Sequence, residues 1–213
     1  MTWAHLKRRI DAFFRDESGA TLVEFTITIT LFLLIFFAII DFGRLAFHIS
    51  QAERTVYTAA RIASVRPPVC NGVPITQAVL PPGAGNPAPR FGTLCRAGGV
   101  CASFSTTCTG SAGNPTAAEI WANSSATMPI GSTINNLQFT YASDPNLGFL
   151  GGPFTPIVTV ELTGVNFTFA TPIAGLAALV TGTTANPNLS SAVPFPAMSV
   201  SMPGEDLAAG NAG

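Results

Sequence analysis

The sequence predicts an α+β chain: one long N-terminal helix that crosses a membrane, then a small β-rich extracytoplasmic domain behind a disulfide-containing loop. Three observations predict it. Ala20 to Ile40 is an apolar run whose only ionisable member is Glu24. All four cysteines, Cys70, Cys95, Cys101 and Cys108, fall in a Gly- and Pro-rich stretch between Pro67 and Pro115. Apolar and polar residues alternate around Val158 to Leu162 and again from Ala197 to Met202, the period of a strand with one buried face.

Composition narrows the function classes first. Of 213 residues 47% are hydrophobic and 10% charged, with a net charge of -1, which excludes an acidic or polybasic disordered chain and offers no nucleic-acid footprint. Lys7, Arg8, Arg9 and Arg15 all precede Gly19, and beyond Pro67 the only basic residues are Arg90 and Arg96. About 145 residues follow the long helix, enough for one small domain with its own core.

As a helix at about 1.5 Å per residue, Ala20 to Ile40 spans roughly 32 Å, the thickness of a hydrocarbon core. Basic residues crowd before the run, while Asp41 with Arg44 and Glu53 with Arg54 follow it, so the positive-inside bias puts the N-terminus in the cytoplasm and the domain outside. The exit, Ala38-Ile39-Ile40-Asp41-Phe42-Gly43-Arg44, lacks the small-x-small site of a cleaved secretory signal. Residues 1–19 are read as a basic leader. Trp3, Leu6, Ile10 and Phe13 or Phe14 recur at helical spacing, which suits a surface amphipathic helix, and a disordered tail that only sets topology suits the same residues.

Glu24 stands out. A carboxylate inside an apolar helix costs on the order of a few kcal/mol unless it is paired or near the interface. Two readings stand: a carboxylate wetted at the membrane boundary, or one paired with an amine. A cut after Gly19 would create such an amine at Ala20, and a neighbouring copy could supply it across a helix bundle.

Gly19, four residues, then Glu24-Phe25, with basic residues before and an apolar run after, resembles the processing site of type IV prepilins and pseudopilins. With Asp41-Phe42-Gly43-Arg44, Gln51-Ala52 and Ala59-Ala60-Arg61 added, the stretch from Gly19 to about Arg66 is similar to the TadE-like family of the tight-adherence (Flp, type IVb) pilus system. That resemblance implies cleavage between Gly19 and Ala20 by a prepilin peptidase, with Glu24 orienting the mature chain against an N-terminal amine. It also implies a pilin-like helix, a non-enzymatic role in pilus assembly and surface attachment, and other Tad pilins, pseudopilins, inner-membrane platform proteins and the lipid bilayer as partners. The expected location is the bacterial inner membrane, single-pass, with a periplasmic domain. Thr26, Thr28 and Thr30 depart from the Leu-rich norm of the family; their hydroxyls can bond back to helix carbonyls or across to a second helix.

The helix is expected to continue past the membrane, over residues 20–66 in all. Leu45, Ile49, Ala52, Val56, Ala59 or Ala60, and Ala63 form an apolar stripe, with Arg44, His48, Gln51, Thr55, Thr58 and Arg61 largely away from it. Pro67-Pro68 ends it. At roughly 70 Å such a helix gives the lollipop outline of pilins. The stripe serves either the protein's own strands, the favoured reading, or another subunit.

Residues 67–115 read as an irregular loop pinned by two disulfides in an oxidising periplasm. Four cysteines allow three connectivities, and short loops favour Cys70 with Cys95 and Cys101 with Cys108. The spacings lack the close pairs of a zinc site, so no metal and no cofactor is expected. Residues 116–213 read as the β-rich domain. Thr116 to about Ala126 is predicted as a short helix, Ile134 to Tyr141 as a strand, and Val158, Val160 and Leu162 as the inward face of the clearest strand. Val165, Phe167 and Phe169 resume that alternation one step out of phase, with Gly164 at the slip hosting a bulge or turn that keeps both sets on one face. Met198, Val200 and Met202 point inward on a closing strand. Thr171-Pro172 with an apolar turn to Val180 precedes it.

No histidine lies in the domain, its carboxylates do not pair in sequence, and no phosphate loop or nucleophile elbow appears, so no catalytic residue is assigned. The Asn123, Asn166 and Asn188 sequons are expected by chance. Three classes are thus ranked: a minor pseudopilin of the tight-adherence pilus, a permanently anchored periplasmic adaptor or binding module, and, last, a membrane-tethered enzyme.

Overall fold

The computed structural model describes residues 18–79, 89–170, 192–205 and 207. The predicted leader pattern at Trp3, Leu6, Ile10 and Phe13 or Phe14, and the turn from Thr171 to Val180, lie outside the described residues. Helix α1 runs Ser18–Val65 without interruption, 48 residues. It contains no proline to break the hydrogen-bond ladder, and Pro67-Pro68 forbids its continuation. The remaining elements are β1 (Ser105–Thr109), α2 (Pro115–Ser124), β2 (Leu137–Ser143), β3 (Pro156–Leu162), β4 (Asn166–Thr168), β5 (Ala192–Pro194) and β6 (Met198–Pro203). The fold is thus α+β, with a long apolar helix and a small β-rich domain.

Two compact units are present: Met1–Leu45 with Thr168–Val193, and Ala46–Phe167 with Pro194–Gly213. In the first, the side chains of α1 stand almost bare: Leu22, Val23, Phe25, Ile27, Phe32, Ile35 and Ile39 are each more than half exposed. A sleeve of that kind needs apolar cover, from lipid or from other helices. At its end Asp41 is fully buried. Its Oδ1 accepts from the Arg44 guanidinium at 3.1 Å and from the Ala170 N–H, also at 3.1 Å, while Phe42 meets Phe169 edge-on with ring centroids 5.8 Å apart. A buried carboxylate is tolerated here because a cation and a backbone donor both face it.

The second unit is built on an antiparallel sheet of order β1-β2-β3-β6. Leu137, Phe139 and Tyr141 on β2 pair in register with Leu162, Val160 and Val158 on β3, and all six are buried. Burying one such side chain is worth about 1.5–3 kcal/mol, so these cross-strand pairs form the centre of the core. The other face is hydroxylated: Thr107 bonds Thr140 at 2.9 Å and Thr159 bonds Ser201 at 2.7 Å. Met198 is buried and Val200 and Met202 half-buried, so β6 closes one side of the sheet as predicted.

The outer half of α1 contributes to the same core. Ala52, Val56, Ala59, Ala60 and Ala63 are 0–1% exposed, so the alanine stripe is buried within its own unit. Thr55, expected on the wet side, is buried instead; its hydroxyl bonds the Gln51 carbonyl at 2.8 Å and the Thr127 hydroxyl at 2.8 Å. A threonine can occupy such a stripe because an i−4 carbonyl satisfies its hydroxyl.

The short helix expected over Thr116 to about Ala126 is α2, which starts one residue earlier and ends at Ser124: Asn114 Oδ1 accepts the Ala117 N–H at 3.0 Å, and Pro115 opens the first turn. Asn114 Nδ2 also donates to the Val69 carbonyl and Thr116 to the Pro67 carbonyl, which moor the chain leaving α1. Arg66 and Glu119 add a two-bond ion pair, at 3.1 and 3.0 Å, with both side chains well exposed. Such a pair contributes at most about 1 kcal/mol.

Four expectations need correction. Residues 67–115 are not wholly irregular, because β1 lies within them and pairs with β2 over five residues. The strand predicted from Ile134 begins at Leu137: Ile134–Asn136 is a 3₁₀ turn closed by a capping box between Thr133 and Asn136. Gly164 does not keep Val165, Phe167 and Phe169 on the β3 sheet. With φ +67 it turns the chain out, Asn136 Nδ2 donates to the Thr163 and Gly164 carbonyls, and β4 pairs instead with β5.

The disulfides are the fourth. They join Cys70 to Cys108 and Cys95 to Cys101, with Cα separations of 5.5 and 5.2 Å, not Cys70 to Cys95 and Cys101 to Cys108. Loop-closure entropy grows only as the logarithm of length, so a preference for short loops is weak against the fold. Here the Val69 N–H donates to Tyr141 Oη at 3.1 Å on β2, and Cys108 stands opposite Phe139 on the neighbouring strand. Those contacts carry Cys70 to Cys108.

Tyr141→Phe leaves the Val69 N–H without its acceptor and should lower stability by about 1–2 kcal/mol in chemical denaturation. Burial raises the Tyr141 pKa, partly offset by that N–H, so the folded state holds the phenolic proton beyond the unfolded value of about 10. Unfolding then releases a proton above pH 10, and stability should fall with rising pH there in the wild type more than in Tyr141→Phe. Asp41→Ala removes the acceptor of the Ala170 N–H, and exchange of that amide should accelerate at least about tenfold by hydrogen–deuterium exchange.

Candidate functional site

The residues singled out in sequence gather on the first two turns of α1. Gly19 and Ala20 are exposed, and a side chain added at Gly19 would meet no atom within 4 Å. Glu24 and Phe25 follow one turn on, both exposed, with Phe25 at 67%. The helix fixes their relation. Ala20 and Glu24 are four residues apart, hence on one face, with the backbone nitrogen of Ala20 about one turn below the carboxylate-bearing residue.

Around Glu24 the backbone is over-supplied with donors. Thr26, Thr28 and Thr30 donate to the carbonyls of Leu22, Glu24 and Thr26 at 2.7, 2.8 and 2.7 Å. Of the two uses open to these hydroxyls, bonding back along the helix is the one adopted. A threonine satisfied in this way hides its polarity from lipid, which reconciles the hydroxylated stretch with a membrane span. Glu24 is then the one ionisable side chain left on the apolar sleeve.

Asp41 was not singled out as a buried group by sequence reasoning. The available signal was its Asp-x-x-Arg spacing to Arg44, which puts the two side chains on one helix face. Nothing local to residues 41–44 pointed to Ala170, 129 positions away.

Beyond the helix, the four cysteines are consumed by the two disulfides. Among the described residues no group of three or more His, Cys, Asp or Glu gathers in a way that could hold a metal ion. His48 lies against aromatic rings, Phe47 at 6.0 Å and Phe167 at 5.7 Å between centroids, and makes no salt bridge among the described residues.

One helix among the described residues is long and apolar enough to cross a membrane, and its most apolar window is entirely unburied. Among the described residues it supports a single membrane span. A family model described as TadE-like protein matches residues 19–61. No curated protein and no solved structure matches the chain. The matched segment opens at Gly19, contains Glu24, Phe25 and Asp41, and ends within the buried alanine stripe, so the likeness to the TadE-like family lies along this helix.

Proposed function

We propose that the chain is a non-enzymatic minor pseudopilin that acts in assembly of a tight-adherence pilus and so supports surface attachment. The observation that carries this reading is the coincidence of a TadE-like segment with a lone carboxylate, Glu24, on the otherwise apolar and unburied stretch of the helix from Ala20 to Ile40. In lipid such a carboxylate needs a cationic partner. Cleavage between Gly19 and Ala20 by a prepilin peptidase supplies one, the new α-amine of Ala20, and Gly19 leaves room for the peptidase because it carries no side chain.

The pairing is more favourable between copies than within one. An amine at the first residue of a helix and a carboxylate at the fifth sit a turn apart, whereas a neighbouring helix displaced along its axis can place its terminus beside Glu24. The contact also removes charge from lipid, so it orders chains entering a bundle with the other pilins and platform proteins.

In this reading residues 1–19 are a cytoplasmic leader, 20–66 the assembly helix, 67–115 the disulfide-bearing region and 116–213 the β-rich periplasmic domain. The inner membrane is the site of processing, with the N-terminus cytoplasmic by the positive-inside bias of Lys7, Arg8, Arg9 and Arg15.

Co-expression with a prepilin peptidase followed by N-terminal sequencing of the membrane-extracted chain should give Ala20 as first residue, and Gly19→Val should leave the leader attached. Glu24→Ala should be processed normally yet lose most pilus assembly. An intact Met1 in the wild type would instead favour a permanently anchored adaptor, and undiminished assembly by Glu24→Ala would remove the pairing role.

A further inference from the structure

Three loops of the second unit meet around the Cys95–Cys101 disulfide. The Cys95 N–H donates to the Gly148 carbonyl at 3.2 Å, and the Gly92 N–H donates to the Leu150 carbonyl at 2.9 Å. The Gln77 N–H donates to the Gly152 carbonyl at 2.8 Å. This cluster holds an aromatic ring outward. Phe91 is 86% exposed, and its ring rests on Gly151, where an added Cβ would stand 2.3 Å from the Phe91 Cδ1. Gly151 has φ +81, so both its conformation and the missing side chain make the platform. Leu94 and Phe149, paired by an isolated bridge, add further exposed apolar surface.

Charge is concentrated at the same place. Arg90 and Arg96 are the only basic residues beyond Pro67, both are exposed, and neither enters an ion pair among the described residues. Cys95, next in the chain to Arg96, lines a cavity of about 200 Å³ together with Gln77, Gly98, Cys101, Ser143 and Asp144. By volume alone it has room for an aromatic ring, since about 150 Å³ holds benzene in an apolar cavity, and its wall mixes the disulfide with polar side chains. At its wall Asp144 accepts from the Asn146 N–H and side-chain amide through Oδ1 alone, at 2.8 and 3.0 Å, so Oδ2 carries no bond among the described residues.

The loop cluster therefore presents an exposed aromatic ring, an open cavity, and, among the described residues, cations without an ion pair and a carboxylate oxygen without a hydrogen bond. A surface that carries both halves of a contact is complementary to itself, the condition for a two-fold interface. We propose that this loop cluster is a contact between two copies of the chain, in which Phe91 of each enters the cavity of the other and Arg96 pairs with the opposing Asp144. An anionic bilayer fits less well, because it needs neither the cavity nor a rigid ring and is repelled by the carboxylate. The disulfide and the glycine platform hold the loops in their bound shape beforehand, which reduces the ordering cost of association.

The test uses the full chain in lipid vesicles with Phe91→p-benzoyl-L-phenylalanine. Irradiation should give a covalent dimer whose link maps to residues 98–103 or 143–145. Arg96→Glu and Asp144→Arg should each reduce that dimer about fivefold or more, and the double variant Arg96→Glu with Asp144→Arg should restore it. Restoration separates a lost ion pair from a misfolded loop. Absence of the dimer, a link mapping to lipid, to α1 or elsewhere in the chain, or failure of the double variant to recover would each overturn the proposal.

Discussion

A helix satisfies its own N–H and C=O groups along its length, so one element can pass from hydrocarbon into an aqueous domain without presenting peptide polarity to either. In Ser18–Val65 the backbone is constant and the side chains carry the change. Large apolar residues and back-bonded threonines clothe the first half, and alanines line the second where a core needs close approach. Asp41 stands between these regimes, buried and matched by Arg44 and the Ala170 N–H. The moorings around its C-terminal end tie the helix to the sheet of the second unit.

Those moorings are mostly neutral hydrogen bonds to chain groups that would otherwise be orphaned at the helix exit. Tyr141, Asn114 and Thr116 take up the polar groups of Pro67 and Val69, and Ser64 accepts the Glu205 N–H at 2.9 Å. Each is worth about 1 kcal/mol. The Cys70–Cys108 bridge adds a covalent tie from the same segment to an edge strand. A domain of this size, with a sheet buried on one face only, has limited apolar area to spend, which is the situation in which disulfides are used.

What was legible in the sequence is what strong periodicity writes. Residues 20 to 65 read as one helix because apolarity persists and proline is absent; β3 and β6 read as strands because Val158 to Leu162 and Met198 to Met202 alternate. The short helix expected from Thr116 is α2, and its Asn114 cap was seen only in the structure. The unread parts share a cause: their determinants lie far away in sequence. β1 consists of Ser105, Thr106, Thr107, Cys108 and Thr109, hydroxyls and a bridged thiol with no apolar face, and it is a strand only because β2 offers it an edge. The partners of Cys70 depend on the mooring of Val69 to Tyr141, and the burial of Thr55 depends on Thr127. For the candidate site, Gly19 and Glu24 were visible because a lone charge in an apolar run is conspicuous, while Asp41 hid in a motif that looked like a solvated helix exit.

The central claim is that α1 serves two solvents, with the change at Asp41. The direct measurement is a nitroxide scan of single positions from residue 22 to residue 63 in bilayers, recording collision with oxygen and with a water-soluble nickel complex. The account predicts lipid-type accessibility on all sides through Ile39. Past Asp41 it predicts a 3.6-residue pattern, with Ala52, Val56 and Ala60 shielded from both reagents and Glu53, Tyr57 and Arg61 open to water. Water access on every face between Ile27 and Ile39, or lipid access at Val56 and Ala60, would contradict it.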